Sequence, residues 1–395
     1  MSVVGAPPLT APVCRATADF QASRFKYLPF FKSLYVVKGD EVTASAPGHL
    51  GRVRVPVRLR VRALEASYDF GSVIGYGGFG IVCTYAQTAP LLPDMPPVFC
   101  VKVTADLHEV KAVREYVCAN ERVSAAFPWA VVDEYAGRFI IAMPLYDNDM
   151  LRWAQTMIVK QRPLRPSQII NVGVQLLELL SLLWSAGLTY CDMKAENCLY
   201  IACGDEEDVP ATIALGDAGS ISSLANKDGF AATKPPPELF SRGYYQSEAD
   251  RRMAVMRWAT GVTLVTFVAP DAAELLDTAS VREDLVDIHA GNVAAQRKAI
   301  VKYLKHVLKK HNQSALEQPL EDLMGTADAP STLSFEQLIS RFKAYEAALE
   351  DGEEREAPGS RGRASEGYTK AGIAATAPSL AAILEAMAVR GAAGS

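Results

Sequence analysis

The apolar pattern of the chain changes once between residues 66 and 347, and this change limits the folds that the chain can adopt. The first part contains short apolar runs bounded by Gly, Pro or charged residues, such as VFCVKV and FIIAMPL, which are typical of strands. The second part opens with SQIINVGVQLLELLSLLWSAG, whose apolar residues recur at helical spacing before a glycine. We therefore predict an α+β fold with a β-rich N-terminal lobe, a mostly helical C-terminal lobe and a cleft between them.

The segments on either side of this region differ from it in composition. Residues 1–65 begin with a Pro-rich stretch and read as an irregular N-terminal extension. From residue 348 onward Gly, Ala, Ser, Pro and charged residues dominate, which predicts a flexible tail over 348–395. The predicted domain therefore covers residues 66–347.

Charge and cysteine usage exclude few classes of function. The 395 residues carry 40 Lys and Arg against 45 Asp and Glu, a net charge of −5, which decides nothing about nucleic acid. The seven cysteines form no CxxC pair, so we expect no disulfide or zinc framework and an intracellular setting, cytoplasmic or nuclear. We expect no signal peptide, no apolar run near the ~20 residues that span a bilayer, and hence a soluble protein.

Three glycines form a candidate phosphate-binding loop. Gly75, Gly77 and Gly80 have GxGxxG spacing and are followed by Val82. Glycines let the backbone approach a polyphosphate and direct N–H groups at it. Since the β-like run IVCTYA follows rather than a helix, we expect the glycines to cap a hairpin, with or without a ligand.

Two further features concentrate charge among apolar residues. Lys102 lies inside the run VFCVKV, where an ammonium group is costly unless it reaches an anion or points to solvent from an edge strand. Residues 188–199, LTYCDMKAENCL, crowd Asp192, Lys194, Glu196 and Asn197 into one short turn. Such a turn is either a polar connection after a helix or a set of side chains held together to take part in a reaction.

Taken in order, these segments resemble the eukaryotic-type protein kinase family over roughly residues 68–345. GYGGFGIV is similar to the Gly-rich loop, YCDMKAEN to the catalytic loop, GDAGS to the metal-binding segment, KPPPELF to the end of the activation segment, and WATGVTLVTFV to the helix that follows. The order of the motifs is more specific than any one of them. The resemblance implies a two-lobed protein-kinase-like fold whose N-lobe ends near residue 146.

The resemblance also implies a role for each charged residue. Asp192 would accept the proton of a substrate hydroxyl, and Lys194 would neutralise the transferring phosphoryl group. Asn197 and Asp217 would bind Mg²⁺, while Lys102 would hold the α- and β-phosphates of ATP. Lys194 is the family's serine/threonine mark, so the implied enzyme is a serine/threonine protein kinase.

Other positions would complete the nucleotide site. The implied ATP-binding residues are Ile74, Gly75, Gly77, Gly80, Val82, Lys102, Met143, Leu145 and Asp149. Met143 would sit at the back of the pocket, and Asp149 would meet the ribose. Glu115, on the predicted helix HEVKAVREYVCANERVS, is our choice for the carboxylate partner of Lys102, with Glu121 as the alternative.

The chain departs from the family at supporting positions. Tyr190-Cys191 replaces His-Arg before the catalytic Asp, Ala218 replaces the Phe of the metal-binding segment, and Met256 stands where an Asp normally accepts catalytic-loop N–H groups. Unmet N–H groups would cost about 1–3 kcal/mol each, so we expect water or an acid at 248 or 250 to substitute. None of these residues touches ATP, metal or phosphate. We predict an active, divergent kinase; the alternative is a pseudokinase.

Cys191 also bears on regulation, because a thiol supplies no positive charge for an activation-segment phosphate. The segment from Asp217 to Glu238 is short and contains the hydroxyl residues Ser220, Ser222, Ser223 and Thr233. We therefore predict activity that does not depend on phosphorylation of this segment.

Two basic segments allow a rival interpretation. RVRVPVRLRVR alternates Arg with apolar residues, and NVAAQRKAIVKYLKHVLKKH places lysines beside a helical apolar stripe. Either segment could bind nucleic acid or acidic proteins, or simply be a solvated face, which we favour. The predicted partners are accordingly protein substrates and ATP, without a membrane or nucleic acid.

Overall fold

The chain, in a computed structural model, forms two compact units. The structure describes residues 30–39, 41–45, 52–62, 66–76, 80–88, 95–162, 164–203, 206–226, 232, 235–241, 243–270 and 292–356. The β unit comprises Met1–Asp149, Leu182–Leu188 and Leu199–Asn226, and the helical unit comprises Met150–Ser181, Thr189–Cys198 and Lys227–Ser395.

A seven-stranded antiparallel sheet with the order β1-β4-β5-β6-β7-β9-β8 dominates the β unit. Its strands are β1 (Leu34–Val36), β4 (Arg58–Val61), β5 (Ser67–Tyr76), β6 (Gly80–Gln87), β7 (Val98–Thr104), β8 (Ala130–Tyr135) and β9 (Arg138–Met143). The strands outside this sheet are β2 (Glu41–Ser45), β3 (Arg52–Pro56), β10 (Asn148–Asp149), β11 (Leu188–Tyr190), β12 (Cys198–Cys203), β13 (Glu206–Leu215) and β14 (Ile221–Ser223). The predicted strand-rich character of this part is confirmed.

An aromatic cluster fills one face of the sheet. Phe30, Tyr68, Tyr85 and Phe99 are buried, and the ring centroids of Tyr68 and Phe99 are 4.9 Å apart in an edge-to-face arrangement. Side chains alternate across the sheet, so every second residue of β6, β7 and β9 joins this core. The edge strands β1 and β8 lie alongside each other, so the sheet curves around the rings.

Part of the predicted N-terminal extension belongs to this sheet, which corrects the boundary at residue 66. β1 and β4 add two strands next to β5, and a helical turn over residues 30–33 supplies core side chains. The predicted alternation of RVRVPVRLRVR is confirmed: Arg52, Arg54 and Arg60 are exposed, whereas the apolar side chains of Val53, Val55, Leu59 and Val61 are buried. Arg58 makes a two-pronged ion pair with Asp69 at 2.5 and 2.9 Å.

Helices make up most of the helical unit. They are α3 (Met150–Val159), α4 (Pro166–Ser185), α5 (Glu248–Val268), α6 (Val293–Lys310), α7 (Glu317–Met324) and α8 (Phe335–Glu356). The β unit holds α1 (Leu107–Ala112), the π-helical turn Val113–Val117 that continues it, and α2 (Glu121–Ala126). α8 runs past the predicted domain end at 347, and residues 357–395 of the predicted tail lie outside the described residues.

The α5 helix is the buried centre of the helical unit. Its threonines at 260, 263 and 266 satisfy their buried hydroxyls by donating to the carbonyl oxygens four residues earlier. Arg297 of α6 forms a buried ion pair with Glu238, and its guanidinium lies 5.0 Å from the ring centroid of Trp258 on α5. These contacts tie the end of the activation segment to the helical core.

The α4 helix corrects one expectation about membranes. Of the described residues, it is the one helix that is long and apolar enough to cross a bilayer by length and composition. More than half of its apolar window is buried inside the protein, as in a core helix of a soluble protein. A helix of this kind is weak evidence for a membrane span.

Candidate active site

A row of predicted nucleotide-binding residues crosses the sheet on the face opposite the aromatic core. Gly75 of β5 pairs with Val82 of β6, and Val82 pairs with Lys102 of β7. Residues directly opposite each other in an antiparallel pair project from the same face. Val82 and Lys102 therefore point the same way, and Gly75 leaves the neighbouring position on β5 without a side chain.

The Gly-rich hairpin needs glycine at its β6 end. A Cβ atom at Gly80 would lie 2.5 Å from the carbonyl oxygen of Val103, so a side chain there would force the hairpin away from β7. The hairpin itself is confirmed, because β5 and β6 are antiparallel neighbours. Gly77 lies outside the described residues.

The other predicted nucleotide positions follow the same sheet and its exit. Ile74 is exposed on β5, whereas Met143 and Leu145 are buried. Met143 pairs with Cys100, two residues before Lys102, so it belongs to the same sheet face as the lysine. Asp149 is half-buried in β10, which pairs with β12.

Lys102 has a carboxylate partner within the β unit. Its Nζ atom lies 2.6 Å from Oε1 of Glu109, whose side chain is only 1% exposed. Burial raises the pKa of Glu109, and the neighbouring Lys102 ammonium opposes this effect. The ion pair holds the ammonium on the sheet face described above.

The choice of Glu115 as this partner was wrong, and so was the alternative Glu121. Glu115 lies 3.9 Å from Lys111 across an exposed helix face. Six residues separate it from Glu109, about one and two-thirds turns, so the two carboxylates face different directions. Glu121 belongs to a separate helix, because the Asn120 side chain accepts the N–H groups that begin α2.

The sequence did contain a signal for the correct residue. The Asp106 side chain accepts the N–H groups of His108 and Glu109 and so begins α1. This pattern, an N-cap followed three residues later by Glu, marks a helix start. The prediction extended one helix across the whole segment and placed the pairing carboxylate six residues too late in the chain.

Asp217 lies beside this pair in the β unit. Its Oδ1 atom is 4.0 Å from Nζ of Lys102, and the Ser220 hydroxyl donates to its Oδ2 atom at 3.4 Å. Its backbone is left-handed, with φ 49° and ψ 73°, which non-glycine residues adopt rarely and often at functional sites. The following turn packs against α1: a Cβ at Gly219 would lie 3.4 Å from the Cβ of Glu109.

The catalytic-loop residues are brought together within the helical unit. Nζ of Lys194 lies 3.0 Å from Oδ2 of Asp192. Nδ2 of Asn197 donates to the Asp192 carbonyl oxygen at 2.9 Å and to its Oδ2 atom at 3.2 Å. The 3₁₀ turn Ala195–Asn197 bends the chain back to make these contacts, and Glu196 is left exposed.

The donor atoms of Asn197 and Asp217 suit magnesium. The Asn197 amide nitrogen is engaged with Asp192, so its Oδ1 atom is the end directed to other ligands. Mg²⁺ prefers hard oxygen ligands and commonly takes one or two from the protein, with the rest from water and substrate phosphates. Across the described ranges, no cluster of three or more His, Cys, Asp or Glu side chains offers a closed metal cage. Each of the two residues, within its own unit, offers an oxygen of the kind that Mg²⁺ takes from a protein.

The supporting group at position 256 differs from the expectation. The Tyr190 N–H donates to Sδ of Met256 at 3.3 Å, so a thioether, a weak acceptor, takes the place of the expected water or acid. Glu248 instead pairs with Arg252 at 2.8 Å and Arg251 at 3.2 Å. Sequence reasoning missed the Tyr190–Met256 contact because it joins residues 66 positions apart in the chain.

The other two positions at which the chain differs from the family, 218 and 191, carry buried side chains. Ala218 is fully buried where the family has a large ring. Burial raises the pKa of the Cys191 thiol to about 12, an effect that the nearby Arg252 guanidinium partly opposes. Cys191 is therefore an uncharged side chain at neutral pH.

Comparisons with known proteins find similarity to protein kinases. The chain is 24% identical over 221 residues to the mitogen-activated protein kinase spk1 of Schizosaccharomyces pombe, which covers 52% of this chain and 55% of that protein. The chain thus spans about half the length of this curated relative. No family model matches.

Solved structures of the Mycobacterium tuberculosis PknI kinase domain are also similar. The wild-type domain and a double mutant share 17% and 16% sequence identity with this chain, with TM-scores of 0.42 and 0.43. Each match covers 70% of this chain and 95% of the other. The predicted α+β fold, with a β-rich N-terminal part and a mostly helical C-terminal part, is confirmed by the elements of the two units.

Proposed function

We propose that this protein is an active serine/threonine protein kinase that transfers the γ-phosphate of ATP to hydroxyl groups of protein substrates. The observation that carries the proposal is the contact set around Asp192. Its carboxylate is held by Lys194 at 3.0 Å and by Asn197 at 3.2 Å, so it has one fixed orientation. An acceptor held in this way is suited to orient a hydroxyl and take its proton.

The proposed roles follow from the charges of these groups. Lys102, fixed by Glu109, binds the α- and β-phosphates of ATP. Asp192 accepts the proton of the attacking substrate hydroxyl, and Lys194 stabilises negative charge on the transferred group. Asn197 and Asp217 would hold Mg²⁺, which neutralises charge on the phosphates when bound.

The lysine at position 194 supports serine/threonine specificity. It lies two residues after the proposed base and is already in contact with that carboxylate. A lysine here is the family's serine/threonine mark, and the curated relative is named as a mitogen-activated protein kinase. Generic serine/threonine and tyrosine substrates, assayed side by side, would separate the two specificities.

The test is transfer of radiolabelled phosphate from ATP to a generic protein substrate. General-base groups contribute about 10²–10⁴-fold, so Asp192→Asn should lower the rate by that order. ATP binding should stay nearly unchanged, because the proposed role of Asp192 is toward the hydroxyl. Asp328→Asn, the same change at an exposed position of the helical unit, is the control. Equal rates for Asp192→Asn and the native chain would exclude this role.

The competing candidate is a pseudokinase that binds nucleotide without turnover. The observations that favour it are the thioether at Met256 and the small side chain at Ala218, both in supporting positions. Nucleotide binding without phosphate transfer from the native protein would establish the pseudokinase.

A further inference from the structure

Arg252 is a fully buried charged residue that no role assigned so far explains. It lies on α5, and its side chain is 1% exposed. Burying a guanidinium is costly unless its donors are met by good partners. A buried arginine therefore points to a specific set of contacts.

The contacts of Arg252 lead to the segment that carries Asp192. Its Nε atom donates to Oε1 of Glu248 at 2.8 Å, and its Nη1 atom donates to the Thr189 hydroxyl at 3.3 Å. Thr189 is fully buried and precedes Asp192 by three residues. The arginine thus links α5 to the strand that enters the catalytic loop.

The second link between α5 and this strand is weak. Met256 lies one helical turn after Arg252, and its sulfur accepts the N–H of Tyr190 at 3.3 Å. Two adjacent strand residues are therefore held by two side chains from one face of α5. The hydrogen bond from the charged Arg252 to Thr189 is stronger than the one that the Met256 thioether accepts from Tyr190. Arg252 therefore supplies most of the restraint on the direction of this strand.

We propose that Arg252 is a positioning residue, which holds the strand before the catalytic loop through Thr189 and so sets the orientation of Asp192. Arg252 acts through Thr189 and does not itself contact the reacting groups. This inference rests on the proposed kinase function only for its effect on rate. Its structural part, the restraint of residues 189–198, holds for a kinase or a pseudokinase.

Three variants separate this role from general packing. Thr189→Val removes the acceptor with little change in shape, so it tests the link without leaving a buried charge unpaired. Arg252→Lys keeps the charge beside Glu248 but loses the planar fork that serves two partners at once. Arg251→Lys is the matched control, because Arg251 is the neighbouring arginine and shares Glu248.

The first measurement is steady-state kinetics with ATP. We expect Thr189→Val and Arg252→Lys each to lower kcat about tenfold, the scale of one charged hydrogen bond, with KM for ATP unchanged. The double variant should lose no more than either single variant, because both break the same link. Arg251→Lys should match the native chain. Unchanged kcat in both single variants, or losses that multiply in the double variant, would overturn the proposal.

The second measurement is hydrogen–deuterium exchange of peptides covering residues 188–198 in the full chain. Thr189→Val and Arg252→Lys should accelerate exchange there, and Arg251→Lys should not. A lower melting temperature with native exchange in this segment would show a merely structural role and reject the proposal. Exchange needs no phosphate transfer, so an inactive native protein would end the proposed function while leaving this test intact.

Discussion

The sheet face of the β unit and the catalytic loop of the helical unit solve the same problem in different ways. On the sheet face, Lys102 is held by a buried carboxylate, an arrangement of full charges at 2.6 Å. Behind the catalytic loop, a thioether and a buried arginine hold the strand before Asp192. Both regions keep the groups that the resemblance assigns to phosphate, metal or proton transfer.

This difference shows at which positions the reaction restricts the type of residue. A group that binds phosphate or accepts a proton must have the right charge and the right acidity. A group that only holds a neighbouring segment must be able to reach it, so a donor to a side-chain hydroxyl, such as Arg252 to Thr189, can supplement a weak acceptor one helical turn away. We therefore expect substitutions on the sheet face to affect function more than substitutions behind the loop.

The largest effect in the comparison is expected at Glu109. Glu109→Gln removes the charge that holds Lys102, and misplacement of a reacting group by about 1 Å can cost about 10²-fold in rate. Glu115→Gln, the same change on the exposed face of the continuing helix, should leave the rate unchanged. Phosphate-transfer rates of the two variants measure this directly. A larger loss in Glu115→Gln would restore the original sequence-based choice.

A smaller effect is expected for metal-dependent binding. A ligand at 100 times its Kd stabilises the folded state by about 2.7 kcal/mol, or about 5 °C in a domain of this size. ATP with magnesium should raise the melting temperature by this order in the native chain, and Asp217→Ala should remove the magnesium-dependent part. Glu134→Ala, at an exposed carboxylate of the β unit, is the control. A shift that ignores both magnesium and Asp217 would contradict the metal role.

No loss of activity is expected from removing the activation-segment hydroxyls. Cys191 is uncharged and fully buried, so it offers no cation to a phosphate on this segment. We expect phosphatase treatment, and replacement of Ser220, Ser222, Ser223 and Thr233 by Ala, to leave the rate unchanged. Because Ser220 donates to Asp217, the control is a second variant that retains Ser220 and replaces only Ser222, Ser223 and Thr233 by Ala. A large loss in both variants would mean that another basic residue receives a phosphate there.

The sequence was sufficient for features that depend on local pattern. The glycine hairpin, the strand that carries Lys102 and the alternating arginines of β3 and β4 follow from periodicity and turn residues, whereas the α5 helix was expected only from the resemblance. The contacts within Asp192–Asn197 follow from their spacing in one short turn. These features need no knowledge of distant parts of the chain.

The sequence was insufficient where a contact joins distant segments or where a helix boundary decides the outcome. Glu109 was missed because the Asp106 cap, which begins α1 three residues before Glu109, was not recognised as the helix start. Arg252 was missed because it meets a residue 63 positions earlier, and no local pattern marks that meeting. Thr233 and Gly77 lie outside the described residues, so the predictions about them stay predictions.

β1 and β4, the two sheet strands that precede the glycine hairpin, affect the solubility of the protein. β4 pairs with the side of β5 that faces away from β6, and the three-residue β1 ends the sheet. An unpaired strand edge offers free N–H and C=O groups to other chains, and short edge strands limit this hazard. A chain cut at residue 66 would present all of β5, ten residues long, as a new edge. β1 and β4 therefore protect the sheet against edge-to-edge association as well as completing its core.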